Sequence, residues 1–219
     1  AEVNDSIAFS GKRPVEWLYD HADVDDRWCL IHVTHLTGDE VTMIAKSGAI
    51  AGICPTTEAN LGDGLFPLKS YLGQGGKIAI GSDSHISVSV TEELRLLEYG
   101  QRLASLNRNV AVSEAHKHTG TNLYQLSLQG GAQASKFNNG AIEVGKRADI
   151  VVLDDQSPLL MGSPMNSIID RYIFSGNQNM VKDVLVMGKH VIQNYHHAKE
   201  QEILNDFKKT VERLKKHLD

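Results

Sequence analysis

The chain has 219 residues, with 22 Lys plus Arg against 27 Asp plus Glu and a formal net charge of −5. At 41% hydrophobic and 22% charged residues its composition is that of a globular protein long enough to bury a core. No apolar run reaches the roughly 18 residues that span a bilayer, the charges from Glu2 to Asp23 speak against a secretory signal peptide, and a pI near 6.1 with scattered charge leaves no nucleic-acid footprint.

Cys29 and Cys54 both sit in apolar runs, as two buried thiols rather than a disulfide, and the expected location is the cytoplasm. The chain opens at Ala1 without a Met, and its first stretch to Lys12 is polar and patternless, with neither a strand nor a helix start.

From Arg13 the pattern becomes regular. Pro14 to Asp20 reads as a helix through Val15, Leu18 and Tyr19. Trp28 to Thr34 is a strand-forming run, and Thr37-Gly-Asp-Glu40 is a capping box that opens a helix up to about Lys46. Ala49 to Cys54 is a second buried run, followed by a loop from Pro55 to Gly64 and a helix around Pro67 to Leu72. Lys77 to Gly81 makes the third run, Ser82 to Ser89 a polar loop, and Thr91 to Leu106 a strong helix.

Three strand–loop–helix units in succession imply a parallel sheet covered by helices. The fold class is α/β, either a doubly wound sheet or part of a (β/α)8 barrel, which three units cannot close. Beyond Val112 the character changes. Ser113 to Gln129 reads as two short helices split at Gly120, Gly140 to Leu153 as a turn into a strand, and Val184 to Ile192 as a β-hairpin. The tail from His196 to Leu218 is charged and amphipathic. The expected partition is a parallel-sheet part over residues 1–130, read as a partial (β/α)8 barrel once the resemblance below is applied, a small β module over 131–195 and a terminal helix over 196–219.

His32 lies at the C-terminal end of its strand, where parallel α/β folds build their sites. Period-two alternation places it on the face of Leu30 and Thr34. It serves either as a site residue or as a core histidine satisfied by a backbone carbonyl. Asp83 ends the run Ala79-Ile-Gly-Ser-Asp83, with small residues beneath it that leave room for a metal or a ligand. A buried carboxylate there needs a partner, and the alternative is a helix cap or loop brace. Thr56 to Gly64 either lines a site or is simply a turn. His116-Lys-His118 has metal-binding spacing for a strand but falls in an expected helix, where i and i+2 diverge. No phosphate loop and no nucleophile elbow is present.

Three segments together resemble the amidohydrolase superfamily, specifically its mononuclear-metal aminohydrolase branch. They are Trp28-Cys-Leu-Ile-His-Val-Thr-His35, Gly-Ser-Asp-Ser-His85 and Gly-Lys-Arg-Ala-Asp-Ile-Val-Val-Leu-Asp154. Within that branch, Cys-Pro-Thr-Thr-Glu-Ala-Asn-Leu-Gly-Asp-Gly64 and the segment Glu92 to Arg102 are most similar to deiminases of formimino-glutamate in histidine degradation. The resemblance runs from about Gly11 to Val191 and implies a (β/α)8 barrel with a small β-sandwich made from both chain ends. The three units here would be barrel strands six to eight, and the segments after Gly140 the C-terminal share of the sandwich.

The same resemblance implies that Asp83 is a metal ligand that also moves protons, and that His32 polarises the substrate. Glu58, Asn60, Ser84 and His85 are candidates for a substrate loop. One divalent metal, zinc, is the implied cofactor, the substrate is a small molecule, and the family forms homodimers. The branch also supplies a His-x-His from its first strand and a His-x-x-Glu from its fifth, and this sequence has neither in a usable place. His21 is followed three positions on by Val24, and no histidine precedes Glu2.

The expectation is therefore the C-terminal half of such an enzyme, inactive and weakly zinc-binding alone, and prone to self-associate through open sheet edges. Other aminohydrolases of the branch, imidazolonepropionase-like or acting on nucleobases, and a non-catalytic interaction fragment are the competing readings.

Overall fold

The computed structural model describes residues 2–114 and 116–217. The expected helix end at Leu218 lies outside the described residues. Strands β1 (Cys29–Ile31), β2 (Ile50–Ile53) and β3 (Lys77–Ile80) form a parallel sheet in the order β1-β2-β3. Cys29 pairs with Ile50 and Ile50 with Lys77, so the strands start level with one another. All of β2 is buried, as its apolar sequence requires of a strand covered on both faces.

The helices of this sheet are α1 (Glu2–Ser10), α2 (Pro14–His21), α3 (Gly38–Ser47), α4 (Pro55–Leu61), α5 (Leu68–Gly73), α6 (Val90–Ser105), α7 (Thr119–Ser135) and α8 (Ile168–Phe174). The capping box at α3 forms as the sequence indicates. Thr37 Oγ1 accepts from the Glu40 N–H at 3.2 Å, and Glu40 Oε2 accepts from the Thr37 N–H at 2.8 Å. Gly48 closes the helix in the left-handed conformation, with φ of 79°. At α6, Ser89 caps the first turn. Ile44, Ile53, Leu68, Tyr71, Ile78 and Leu123 form the centre of one apolar cluster, each contributing about 1.5–3 kcal/mol by leaving water.

Four local readings change. The stretch ahead of Lys12 is helical, as α1, although none of its described side chains is buried. Pro55 to Leu61 is a helix, with Pro at its first position and Gly62 left-handed at its end. Residues from Thr119 to Ser135 form one helix that passes through Gly120. A side chain there would meet the Asp170 backbone at 2.9 Å, so this glycine permits packing instead of breaking the helix. His116 precedes α7 and His118 stands at its N-cap position without a side-chain capping bond, so neither lies in the helix interior that the sequence suggests.

Contacts divide the chain into two units, residues 1–140 with 162–176, and residues 141–161 with 177–219. The expected boundary at 130/131 falls inside α7. In the second unit β4 (Ile150–Leu153), β5 (Val181–Val186), β6 (Lys189–Gln193) and β7 (His196–His197) form an antiparallel sheet in chain order. Met187–Gly188 and Asn194–Tyr195 join its hairpins, all four with positive φ, the geometry of turns that follow strand twist. His196 and His197 thus belong to a strand, and the terminal helix α9 (Glu200–Lys215) starts later than expected. Its Ile203, Phe207 and Leu214 are exposed. Among the described residues no helix is long and apolar enough to cross a membrane.

Two contacts are open to test. A Cβ on Gly130 would lie 1.9 Å from the Ile78 carbonyl oxygen, so α7 touches β3 backbone to backbone. Gly130→Ala is expected to lower the unfolding free energy by about 1–3 kcal/mol through overpacking, against the ~1 kcal/mol that Ala gains over Gly in a helix. A urea midpoint equal to wild type would refute the close contact.

Glu93, buried on α6, accepts from the Thr56 N–H at 2.9 Å and from the Thr56 hydroxyl. Burial raises its carboxyl above the ordinary value of 4.5. Its favourable contribution is full below that value and is lost as pH rises through the folded-state value. Glu93→Gln should flatten the fall in stability across that acid window, measured by urea titration at several pH values, whereas parallel curves would contradict it.

Candidate active site

The parallel sheet carries its polar residues at one end. β1 stops at Ile31, yet the His32 N–H still donates to the Gly52 carbonyl at 2.7 Å. The chain then turns sharply, with φ of 65° at His32 and 42° at Val33. Alternation therefore ends at Ile31, and His32 and Thr34 do not continue the face of Leu30 as expected. Beyond β3 the Gly81 N–H donates to Ile53 at 3.0 Å, and Asp83 follows in a turn with φ of 48°. Positive φ at three non-glycine residues is strain of the kind that collects at functional sites.

This route brings His32 and Asp83 together across the end of β2. His32 Nε2 lies 3.7 Å from Asp83 Oδ2, and both side chains are partly open to solvent. The other ring nitrogen, Nδ1, lies 3.3 Å from Oε1 of Glu58. His32 is thus set between two carboxylates and not against a backbone carbonyl. Asp83 does not cap α6, where Ser89 has that place.

Helix α4 supplies the rest of the scaffold. Its Glu58 is only 4% exposed, and Oε1 also accepts from the Cys54 N–H at 2.8 Å. Burial raises the Glu58 carboxyl, opposed by those hydrogen bonds from Cys54 and His32. The Thr57 hydroxyl donates to the Ser82 carbonyl at 2.7 Å and accepts from the His85 N–H at 3.1 Å, which braces the turn that carries Asp83. Cys54 Sγ lies beneath, and burial with Glu58, Asp83 and Glu93 nearby pushes its thiol up to about 11. That thiol is protonated near neutrality and is no nucleophile.

The expected loop residues divide. Glu58 is buried against His32 instead of facing solvent, and Ser84 is exposed beside Asp83. His85 Nδ1 accepts from the Ser87 N–H at 3.1 Å. Asn60 is exposed near the end of α4, and among the described residues no hydrogen bond joins it to His32 or Asp83. Thr57 and Glu93 lie in segments that the sequence singles out, but their bracing roles are not assigned there. Their signal was Pro55 at a helix start with two hydroxyls behind it, and Glu92-Glu93 in the first turn of a strong helix.

Among the described residues one group of three potential donors lies within 4.8 Å, namely His32, Cys54 and Glu58. Its Glu58 oxygen is already engaged by the Cys54 N–H and the His32 ring, so it is not free to take a cation. Asp83 and His32 offer one carboxylate and one imidazole, short of the four donors of a tetrahedral zinc. The described residues therefore do not complete a metal site.

Residues 1–191 match the sequence profile of the amidohydrolase family. Formimidoylglutamate deiminase of Pseudomonas aeruginosa is 48% identical over 91% of this chain and 44% of its own length. 5'-Deoxyadenosine deaminase of Methanopyrus kandleri is 31% identical over 97% of this chain and 49% of its own. In structure, an amidohydrolase from Brucella melitensis is similar with a TM-score of 0.89 and 42% identity, covering 97% of this chain and 47% of that one. An adenosine deaminase from Xanthomonas campestris with bound zinc shares the fold, with a TM-score of 0.85 at 24% identity over 98% of this chain and 48% of that one. The chain spans a little under half the length of each of these relatives. With its mixed α/β fold and its sequence in agreement, the chain belongs to the amidohydrolase family.

Proposed function

We propose that this chain provides part of the active site of a metal-dependent aminohydrolase that converts N-formimino-glutamate to N-formyl-glutamate and ammonia in histidine degradation. The observation that carries the reading is the convergence of His32 and Asp83, 3.7 Å apart at the C-terminal end of the parallel sheet. The 48% identity to a formimidoylglutamate deiminase supports the choice of substrate. β1 to β3 are read as strands six to eight of a (β/α)8 barrel, and β4 to β7 as the C-terminal share of a β-sandwich. The partner is a small molecule, not nucleic acid or a membrane. The place of action is the cytoplasm, and the assembled enzyme is a homodimer.

The reaction adds water across the carbon–nitrogen double bond of the formimino group and expels ammonia. Asp83 takes a proton from the attacking water and returns it to the departing nitrogen, the two-way role open to a half-exposed carboxylate. His32 turns Nε2 toward the same place, where that nitrogen accepts a hydrogen bond from the attacking water and orients it for addition. A divalent cation, zinc in this proposal, would when bound supply the acidity that makes water a nucleophile near neutral pH. Asp83 would give it one donor, and polypeptide outside these residues would give the others. A second reading, deamination of an adenosine-type nucleoside, draws on the 31% identity to a 5'-deoxyadenosine deaminase.

The test is zinc content and ammonia release for the chain alone and for the chain combined with the N-terminal half of the Pseudomonas aeruginosa relative. Zinc should be near zero per chain alone and near one in the combination, with formimino-glutamate turned over only there. Asp83→Ala should abolish both. His32→Ala should keep the metal and lower turnover by about 100- to 1,000-fold. Deamination by the chain alone at the relative's rate would overturn the shared-site reading, and turnover of nucleosides in place of formimino-glutamate would establish the second one.

A further inference from the structure

Glu58 is the carboxylate beside His32 that is removed from water, at 4% exposure next to a 41% exposed His32 and a 44% exposed Asp83. A carboxylate so placed needs hydrogen-bond donors. Its Oε1 has two of them, the Cys54 N–H at 2.8 Å and His32 Nδ1 at 3.3 Å. Because Oε1 already accepts from a backbone N–H, it is an acceptor toward the ring as well, and the ring proton belongs on Nδ1. Nε2 is then the nitrogen left on the side of Asp83, at 3.7 Å.

His32 needs such a tether. It sits past the last residue of β1 with φ of 65°, so the sheet holds its backbone at the Gly52 carbonyl but leaves the ring free to turn about its side-chain bonds. Glu58 itself is held at three levels. Its own N–H donates to the Cys54 carbonyl at 2.9 Å, its carboxylate receives the Cys54 N–H, and α4 is tied to α6 through Thr56 and Glu93. Rigid support of this kind lets one side chain set the rotamer of another.

We propose that Glu58 is a positioning residue, which fixes the His32 ring through the Nδ1 proton and presents Nε2 to Asp83 and the reacting group. The inference rests on the functional reading only in giving His32 a task in the reaction. The geometry itself belongs to this chain and is measurable without turnover.

Nitrogen-15 NMR of the histidine rings in the 219-residue chain, with His32→Gln to identify the signal, reads the tautomer directly. Wild type should show the proton on Nδ1 of His32. Glu58→Gln should show the same, since an amide oxygen still accepts from both donors. Glu58→Ala should convert the signal to a mixture of tautomers, and Glu93→Ala, which loosens the same helix start without touching His32, should not. An Nε2–H tautomer in wild type would overturn the proposal even if Glu58→Ala fails to fold. So would an unchanged tautomer in a folded Glu58→Ala, or an equal change in Glu93→Ala.

In the combined enzyme described above, Glu58→Ala should lower kcat by about 100-fold with KM little changed, and Glu58→Gln should recover most of it. A fall confined to KM would mark a substrate contact instead and overturn the positioning role. Wild type that binds zinc but leaves formimino-glutamate untouched would overturn the functional reading while the ring measurement still decides the role of Glu58.

Discussion

The start of α4 is the constraint on which the site depends. Four consecutive residues, Pro55 to Glu58, are buried, and each meets a different requirement. Pro55 presets the backbone of the first turn and gives up an N–H that would lack a helical partner. Thr56 is tied to Glu93 on α6, Thr57 braces the turn that carries Asp83, and Glu58 holds the His32 ring. Polar groups this deeply buried are tolerated because they satisfy one another.

That arrangement explains how two strained residues from separate strands can stand in one place. His32 and Asp83 each leave the sheet through positive φ, and each such residue costs of order 1–3 kcal/mol, which the surrounding contacts must offset. The enforcing contacts come from one helix that follows the middle strand, so neither residue depends on a loop for its placement. Cys54, at the hinge between β2 and α4, contributes its backbone N–H while its thiol stays inert.

Much of this was legible in the sequence because it is local. The apolar runs around Leu30, Ala51 and Ile78 identify the strands, Thr37 and Glu40 announce their helix, and His32 and Asp83 stand at strand ends where such sites are built. The identity of α4 was not legible. Pro-Thr-Thr-Glu-Ala-Asn-Leu is short, poor in strong helix formers and followed by two nearby glycines, so it reads as a loop. Its first turn is completed by Glu93, distant in sequence, and by contacts that no window of neighbours reveals. The same holds for Gly120 and Gly130, which signal breaks in isolation yet mark where α7 lies against Asp170 and Ile78. Departure from alternation at His32 was equally hidden, since it follows from backbone torsion and not from residue type.

The order of strands in the first sheet has a consequence for how the site comes into being. Each strand pairs with its neighbour in sequence, β1 with β2 and β2 with β3, so the contacts are of low order and each closes only a short span of chain. The sheet can grow one unit at a time in the direction of synthesis. His32 and Glu58 are then made before Asp83, and the site is set last, when the Ser82–His85 turn closes onto the Thr57 hydroxyl and Glu93 completes the first turn of α4.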